Sequence, residues 1–347
     1  MHAHRGGRRA SIAIVGGETL LGKEVNELLE ARKIPANLQL VASLDAGDSG
    51  KPASILAAGK EEPIVMTSLE SAELGSTQIV ILAASKETGH KVYEKIREAK
   101  PAPVLIDLSG TLEDLAESRL RAPMVERITQ PASSSAKGPV QTIAHPAAIA
   151  IALLLTHLQK AGAIRRAVIE IFEPVSERGK AGIDELQKQT VALLSFKPMP
   201  KALFDAQASF NMLSQYGSDA PLSLEEIELK IDRHLASLLA ASGAPMPSLR
   251  LIQAPVFHGY SISEWVEFEE SPGTDRIFQA LGSSNIDVRT QDHEPPTNVG
   301  VAGQGGITVG SIVQDRNQPR AWWFWVAADN LQIAAENAGE VVREYLE

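Results

Sequence analysis

Near the start of the chain, Gly16-Gly17-Glu18-Thr19-Leu20-Leu21-Gly22 has the residue types and spacing to approach a phosphate. A dinucleotide site places glycines between a first strand and a helix, so that backbone amides at the helix N-terminus can meet the pyrophosphate. Gly16 and Gly22 are the outer positions of a Gly-x-x-Gly-x-x-Gly pattern, and Thr19 stands at the middle one. The Thr19 hydroxyl either bonds a phosphate or blocks it, and Glu18 brings a negative charge to the same turn. A tight strand-to-helix turn with no ligand explains the pattern equally well. The candidate cofactor set is Gly16, Thr19, Leu20, Leu21 and Gly22, with Ser43 after the next strand and Asn330 near the C-terminus.

The chain contains no cysteine. A thiolate nucleophile and every cysteine-ligated metal site are therefore excluded. His258 and Tyr260 lie two apart in a strand-like region, which on a regular strand puts both on one face. Such a pair could serve as proton donor and acceptor, although two packed polar aromatics are the plainer reading. Asp292-His293-Glu294 lacks metal-ligand spacing and adjoins two prolines, so it reads as a solvated loop, and no metal site is expected. Ser133-Ser134-Ser135 sits in a small-residue linker without the glycines of a nucleophile elbow.

The elements that must position these residues follow from periodicity. Ser11–Val15 reads as a strand, Leu21, Val25, Leu28 and Leu29 mark one face of a helix, and Leu38–Ala42 reads as a second strand. Ile79–Ala84 and Val104–Asp107 are continuous apolar runs, as strands covered on both faces require. A helix is expected over Glu87–Ala99. This alternation predicts an α/β fold with a doubly wound parallel sheet. Pro131–Gly138 is a polar linker. Beyond it, strands at Arg166–Phe172, Leu249–Phe257 and Ser261–Glu269 alternate with helices at Lys180–Leu194 and Leu224–Ala241, the second opened by a Ser223/Glu226 capping pattern. Trp322–Val326 is an apolar strand whose indoles suit a core or a subunit interface, and Leu331–Leu346 is an amphipathic closing helix. An α+β second domain is expected.

These segments together resemble the aspartate-semialdehyde dehydrogenase family along nearly the whole chain. The marks are the glycine turn, Val175-Ser176 with Gly179-Lys180 and Asp184-Glu185-Leu186, Phe210-Asn211-Met212-Leu213, Gln253-Ala254-Pro255-Val256 with Gly259, and Trp323–Leu331. The resemblance implies a Rossmann-type domain over residues 1–146, completed by the helix at 329–347, and an α+β dimerisation domain over 147–328. It implies NAD or NADP as cofactor and a homodimer. The family's reaction uses a thiolate, a glutamine, a histidine and a substrate-holding arginine. By resemblance these positions fall on Ala148, Glu173, Tyr260 and Gln253, none of which keeps the family's residue. His145 replaces an amide beside the lost thiol. The phosphate arginine falls on Glu113, the basic residue near the nucleotide 2′-phosphate on Asp45, and the substrate lysine near Glu226 or Glu228. Asp45 favours NAD over NADP, because a carboxylate accepts ribose hydroxyls and repels a phosphate.

Loss of so many positions at once implies a pseudoenzyme like the family's cysteine-lacking paralogues, with no catalytic residues and a structural or regulatory role, pairing with itself or with an active paralogue. The alternative is an NAD-dependent oxidoreductase with thiol-independent chemistry, since hydride transfer needs no cysteine. Composition narrows the remainder. The 347 residues are 44% hydrophobic, 22% charged and carry a net charge of −10, which suits two globular domains and disfavours nucleic acid as partner. The longest apolar stretch, Ala147–Leu155, is far below the roughly 20 residues of a bilayer span, so a buried helix is expected and no membrane association. The basic start, Met1 to Ala10, has no apolar signal segment, and a cytoplasmic protein with frayed first residues is expected.

Overall fold

The computed structural model describes residues 10–46, 54–55, 64–129, 138–290 and 292–347. The expected frayed start and most of the Pro131–Gly138 linker, with Ser133–Ser135, lie outside the described residues. Two compact units are present. The first comprises the chain up to Arg121, then Ser135–Ile143 and Ala335–Glu347, and the second comprises Ala122–Ser134 and Ala144–Ala334.

In the first unit, β1 (Ala10–Val15), α1 (Leu20–Ala31) and β2 (Ala36–Val41) lead to a short β3 (Ser54–Ile55) and β4 (Ile64–Val65) pair. Next come β5 (Ile79–Leu82), α2 (Lys86–Ile96), β6 (Val104–Asp107) and β7 (Ser118–Arg121). Helix α3 (Pro123–Thr129) belongs to the second unit, and β8 (Val140–Ile143) completes the first sheet. The strand order is β2-β1-β5-β6-β8-β7, parallel throughout. The order reverses between β1 and β5, so the glycine turn at the carboxyl end of β1 occupies the topological switch point where such sheets bind ligands. Val15, Val80, Leu82 and Leu105 lie in one buried cluster, as strands covered on both faces should.

The second unit holds α4 (Pro146–Ala161), β9 (Ile164–Glu173), α5 (Gly179–Leu194), α6 (Leu224–Leu239), β10 (Ser248–Gln253), β11 (Tyr260–Phe268), α7 (Thr274–Leu281), β12 (Ile286–Val288), β13 (Ile307–Gln314) and β14 (Ala321–Ala328). The closing helix α8 (Asn330–Leu346) begins here and runs on into the first unit. There its Gly339 lies against Leu28 of α1, and Arg32 bonds Glu340 at 2.8 Å. The sheet is mixed, ordered β10-β9-β11-β14-β13-β12. Helix α4 is the buried helix expected from Ala147–Leu155, and every residue of that stretch is inaccessible. Among the described residues, no helix is long and apolar enough to cross a membrane.

Alternation along these strands separates two faces. Ile262, Val266, Phe268, Phe324 and Val326 point inward. On the opposite face, Trp265 pairs with Trp323 across β11 and β14, and the Phe172 and Trp325 rings lie 6.0 Å apart. The indole run therefore divides: Trp322 is core and Trp323 is exposed.

Glu264 falls on the inward face, fully buried, with neither carboxyl oxygen hydrogen-bonded. Burial raises its carboxyl well above the usual carboxylate range. The unfolded chain ionises this group near about pH 4.3, whereas the folded chain keeps the proton. Unfolding above that pH therefore releases a proton, and stability falls as pH rises until the folded group also ionises, by up to about 1.4 kcal/mol per pH unit. Glu264→Gln keeps the shape and removes the titration. Scanning calorimetry should show the variant more stable than the parent at pH 7, with the gain vanishing near pH 4.

Candidate functional site

The glycine turn is built by packing. Gly16 has φ of 85°, and a Cβ there would lie 2.4 Å from the Ala83 carbonyl oxygen. A Cβ on Gly22 would lie 2.1 Å from the Gly16 oxygen. Both glycines are thus required by the meeting of β1, β5 and α1, with or without a nucleotide. Thr19 caps α1: its hydroxyl accepts from the Gly22 amide at 2.9 Å and lies 2.8 Å and 2.9 Å from the Gly16 and Ala83 carbonyls. Its one proton goes to one of these carbonyls, so the hydroxyl serves as a local cap. Leu20 and Leu21 form the first positions of α1, beside this cap.

The carboxylate facing the end of β2 comes from Glu18, where the sequence pointed to Asp45. Glu18 accepts from the Ser43 amide at 3.1 Å and from the Ser43 hydroxyl. Asp45 lies exposed in the following turn. The turn was readable in the sequence, but Glu18 reaching back to Ser43, 25 residues on, was not. Glu113 is half-buried in the turn after β6, and Asp107 organises that turn by accepting from the Ser109, Gly110 and Leu112 amides.

In the second unit, four strand ends converge. β9 ends at Glu173 and β10 at Gln253, which are register partners. β11 begins at Tyr260, opposite Ala328 near the end of β14. The N-cap of α4, His145, and the turn Val175–Arg178 stand at the same end, as their contacts show. Glu173 is fully buried and accepts from the Arg178 guanidinium at 2.6 Å through Oε2, while its Oε1 has no hydrogen-bond partner. His145 Nε2 stands 4.0 Å from Glu177. Tyr260 is fully buried, its ring 6.4 Å from that of His145.

Electrostatics follow from this crowding. Burial, and then the Glu173 charge, push the Glu177 carboxyl up to about 7 against the opposing pull of Arg178. Burial also drives His145 well below its ordinary value, helped by the Lys230, His234 and Arg178 cations or dipoles. Tyr260 is raised well above a free tyrosine by burial, then by Glu177 and Glu173. Burial works against the Arg178 charge, but Glu173, Tyr216 and Glu177 outweigh it and hold the guanidinium firmly protonated.

The positions carried over by resemblance are thereby located. Ala148 is buried one turn into α4 and offers a methyl group. Gln253 is saturated: its amide nitrogen donates to the Glu173 and Ala254 carbonyls at 2.8 Å and 3.2 Å, and its oxygen accepts from Tyr216 at 2.7 Å. His258 and Tyr260 do not share a strand face. Gly259, with φ of 79°, turns the chain between them. His258 instead bonds Asp329 at 2.8 Å and lies 3.2 Å from the Ser176 hydroxyl. Burial opposes the Asp329 charge, but the His258 bond and the Gln332 and Gly303 amides outweigh it and hold the carboxyl below its usual range. Asn330, expected with the nucleotide set, accepts from Ser176 and Gly259 in this unit at 3.1 Å and 3.3 Å. His293 stays in an exposed loop, 3.0 Å from Thr290.

Sequence reasoning missed four members of this cluster: Glu177, Arg178, Tyr216 and Lys230. Lys230 acts on the His145 ring from α6, whereas Glu228 turns to the Leu251 amide at 2.7 Å and Glu226 lies in the capped first turn. The loss of cations inferred from Gln253 and Glu228 is therefore incomplete, since an arginine and a lysine remain. Helical spacing offered a signal for Lys230, four residues before the buried His234 on α6. None marked Arg178, which sits in an irregular turn.

Comparison with known proteins agrees with this architecture. Residues 11–153 match the semialdehyde dehydrogenase NAD binding domain, and residues 155–333 match the semialdehyde dehydrogenase dimerisation domain. The chain is 28% identical over 345 residues to the USG-1 protein homolog of Pseudomonas aeruginosa, covering 97% of this chain and 98% of that one. It is 26% identical over 369 residues to the aspartate-semialdehyde dehydrogenase of Rickettsia bellii, covering 98% and 99%. Among solved structures, a probable aspartate-semialdehyde dehydrogenase from Pseudomonas aeruginosa superposes with a TM-score of 0.82 at 26% identity, covering 98% of this chain and 99% of that one. With both domain models matched in order along almost its whole length, the chain belongs to the semialdehyde dehydrogenase family.

Proposed function

We propose that this chain is a non-catalytic member of the family, with a structural or regulatory role. The observation that carries the reading is Ala148: the position that resemblance gives to the nucleophile holds a buried methyl group, in a chain without cysteine. The neighbouring positions support it. Gln253 is saturated by backbone and Tyr216, Glu173 is ion-paired, and Tyr260 holds its proton too tightly to act as a base near neutral pH. Purified protein should give no turnover of aspartate semialdehyde with either nicotinamide cofactor above the no-enzyme rate, and turnover above that rate would overturn the reading. Ala148→Cys alone should remain at least about 100-fold below an active relative, because a missing acid/base partner by itself costs about 10²–10⁴.

The role we favour acts through association. Val168, Trp323 and Val313 expose apolar surface on the outer face of the mixed sheet, with Trp323 at 41%, and Phe196 after α5 is 99% exposed. Rings at these positions suit a homodimer interface, or a mixed dimer with an active paralogue. Sedimentation should report a dimer for the parent chain and a shift towards monomer for Trp323→Glu. A Trp323→Glu chain that sediments like the parent would remove this face from the interface.

A second reading, an NAD-dependent oxidoreductase with thiol-independent chemistry, is favoured by one observation: the Glu18 carboxylate rests on Ser43 at the end of β2. The ribose of a bound dinucleotide is recognised there, and a carboxylate accepts its hydroxyls and repels a 2′-phosphate. On this reading calorimetry finds NAD binding and none for NADP, and Glu18→Ala narrows that preference by about tenfold or more. Absence of NAD binding at millimolar concentration would discard the reading.

A further inference from the structure

The second unit contains a constellation whose joint geometry neither reading uses. His145, Glu173 and Glu177 each present a donor atom, all within 4.8 Å of one another. They come from three places in the fold: the N-cap of α4, the end of β9 and the turn after it. We propose that these three side chains form a binding site for a divalent transition-metal cation of the zinc or manganese type.

Several observations converge on a cation. Glu173 Oε1 is a fully buried carboxylate oxygen with no hydrogen-bond partner. An oxygen in that state lacks the compensation that buried polar atoms ordinarily have, and a metal ion supplies it. The other oxygen, Oε2, is held by Arg178 at 2.6 Å. An outer partner of this kind fixes a ligating carboxylate in orientation. Tyr260 Oη, also fully buried, adds a neutral oxygen beside Glu177. The donor set of one imidazole and two carboxylates, with no thiolate, suits zinc or manganese. Metal–ligand bonds of about 2.0–2.2 Å place tetrahedral donors about 3.4 Å apart. The present separations, such as 4.0 Å between His145 Nε2 and Glu177, close to that value by a side-chain shift of under about an ångström.

Two features set the strength of the site. Arg178 and Lys230 offset part of the carboxylate charge, so micromolar affinity is expected in place of the far tighter binding of a structural zinc site. The Ala147 amide donates to His145 Nδ1 over a long 3.3 Å. Coordination through Nε2 moves the ring proton to Nδ1, and this weak cap is released. Sequence spacing gave no warning, because the imidazole precedes Glu173 by 28 residues and Glu177 follows it by 4.

The test uses the full chain, stripped with chelator. Zinc is titrated by calorimetry and cobalt by visible absorption, which reports nitrogen and oxygen coordination directly. One equivalent per chain is expected, with a raised unfolding midpoint on zinc addition. His145→Asn keeps a good helix N-cap while removing the imidazole, and Glu177→Gln keeps the shape of the carboxylate. Each should weaken binding at least tenfold and abolish the metal-dependent rise in midpoint, with an unfolding midpoint in chelator within a few degrees of the parent. A His293→Ala control in the exposed loop should bind as the parent does. Absence of saturable binding in the parent, or binding that survives either His145→Asn or Glu177→Gln, would overturn the proposal.

Discussion

The ion pair between Glu173 and Arg178, at the end of the mixed sheet, is the constraint around which the second unit's polar chemistry is arranged. Glu173 has no solvent access, so its charge is tolerable only with a close counter-charge. Arg178 provides it from the turn that immediately follows β9. That turn carries Glu177 with it, and the two carboxylates then stand within reach of His145 and Tyr260. The pair also organises β10, since Gln253 donates to the Glu173 carbonyl and fixes Tyr216 in turn. One buried charge thus stands at the centre of six neighbouring polar side chains.

The first unit obeys a different constraint, close approach of backbone. Gly16 and Gly22 allow β1, β5 and α1 to meet at distances that no side chain would permit. Thr19 then completes the turn with a hydroxyl that accepts from Gly22 and donates to the Gly16 or the Ala83 carbonyl. A glycine pattern that in sequence looks like a phosphate cradle is here accounted for by steric demand alone. Beside this turn, Glu18 reaches back to accept from the Ser43 amide.

The two units keep the family fold. The residues that maintain strand pairing and helix packing remain apolar and correctly phased, which is why both domain matches run along the chain. The residues at the strand ends bond among themselves, Glu173 with Arg178 and Gln253 with Tyr216 and the Glu173 carbonyl. Fold and site are selected by different forces, the first by burial of apolar surface and the second by charge and proton placement.

The sequence by itself determined the parallel sheet, because continuous apolar runs such as Ile79–Leu82 are intelligible only as strands covered on both faces. It determined the buried α4 through its continuous apolar stretch, the closing α8 through its amphipathic period, and the absence of a thiol, which is a matter of composition. It left short elements such as β7 and β12 unread, since a few residues carry too little periodicity. Only the tertiary structure decided that Gly259 separates His258 from Tyr260, that Glu18 and not Asp45 meets Ser43, and that Arg178 and Lys230 keep positive charge near His145. Each of these depends on the direction of a side chain leaving a turn or a helix end. Local sequence pattern does not specify that direction, because it is set by which strand ends meet in three dimensions.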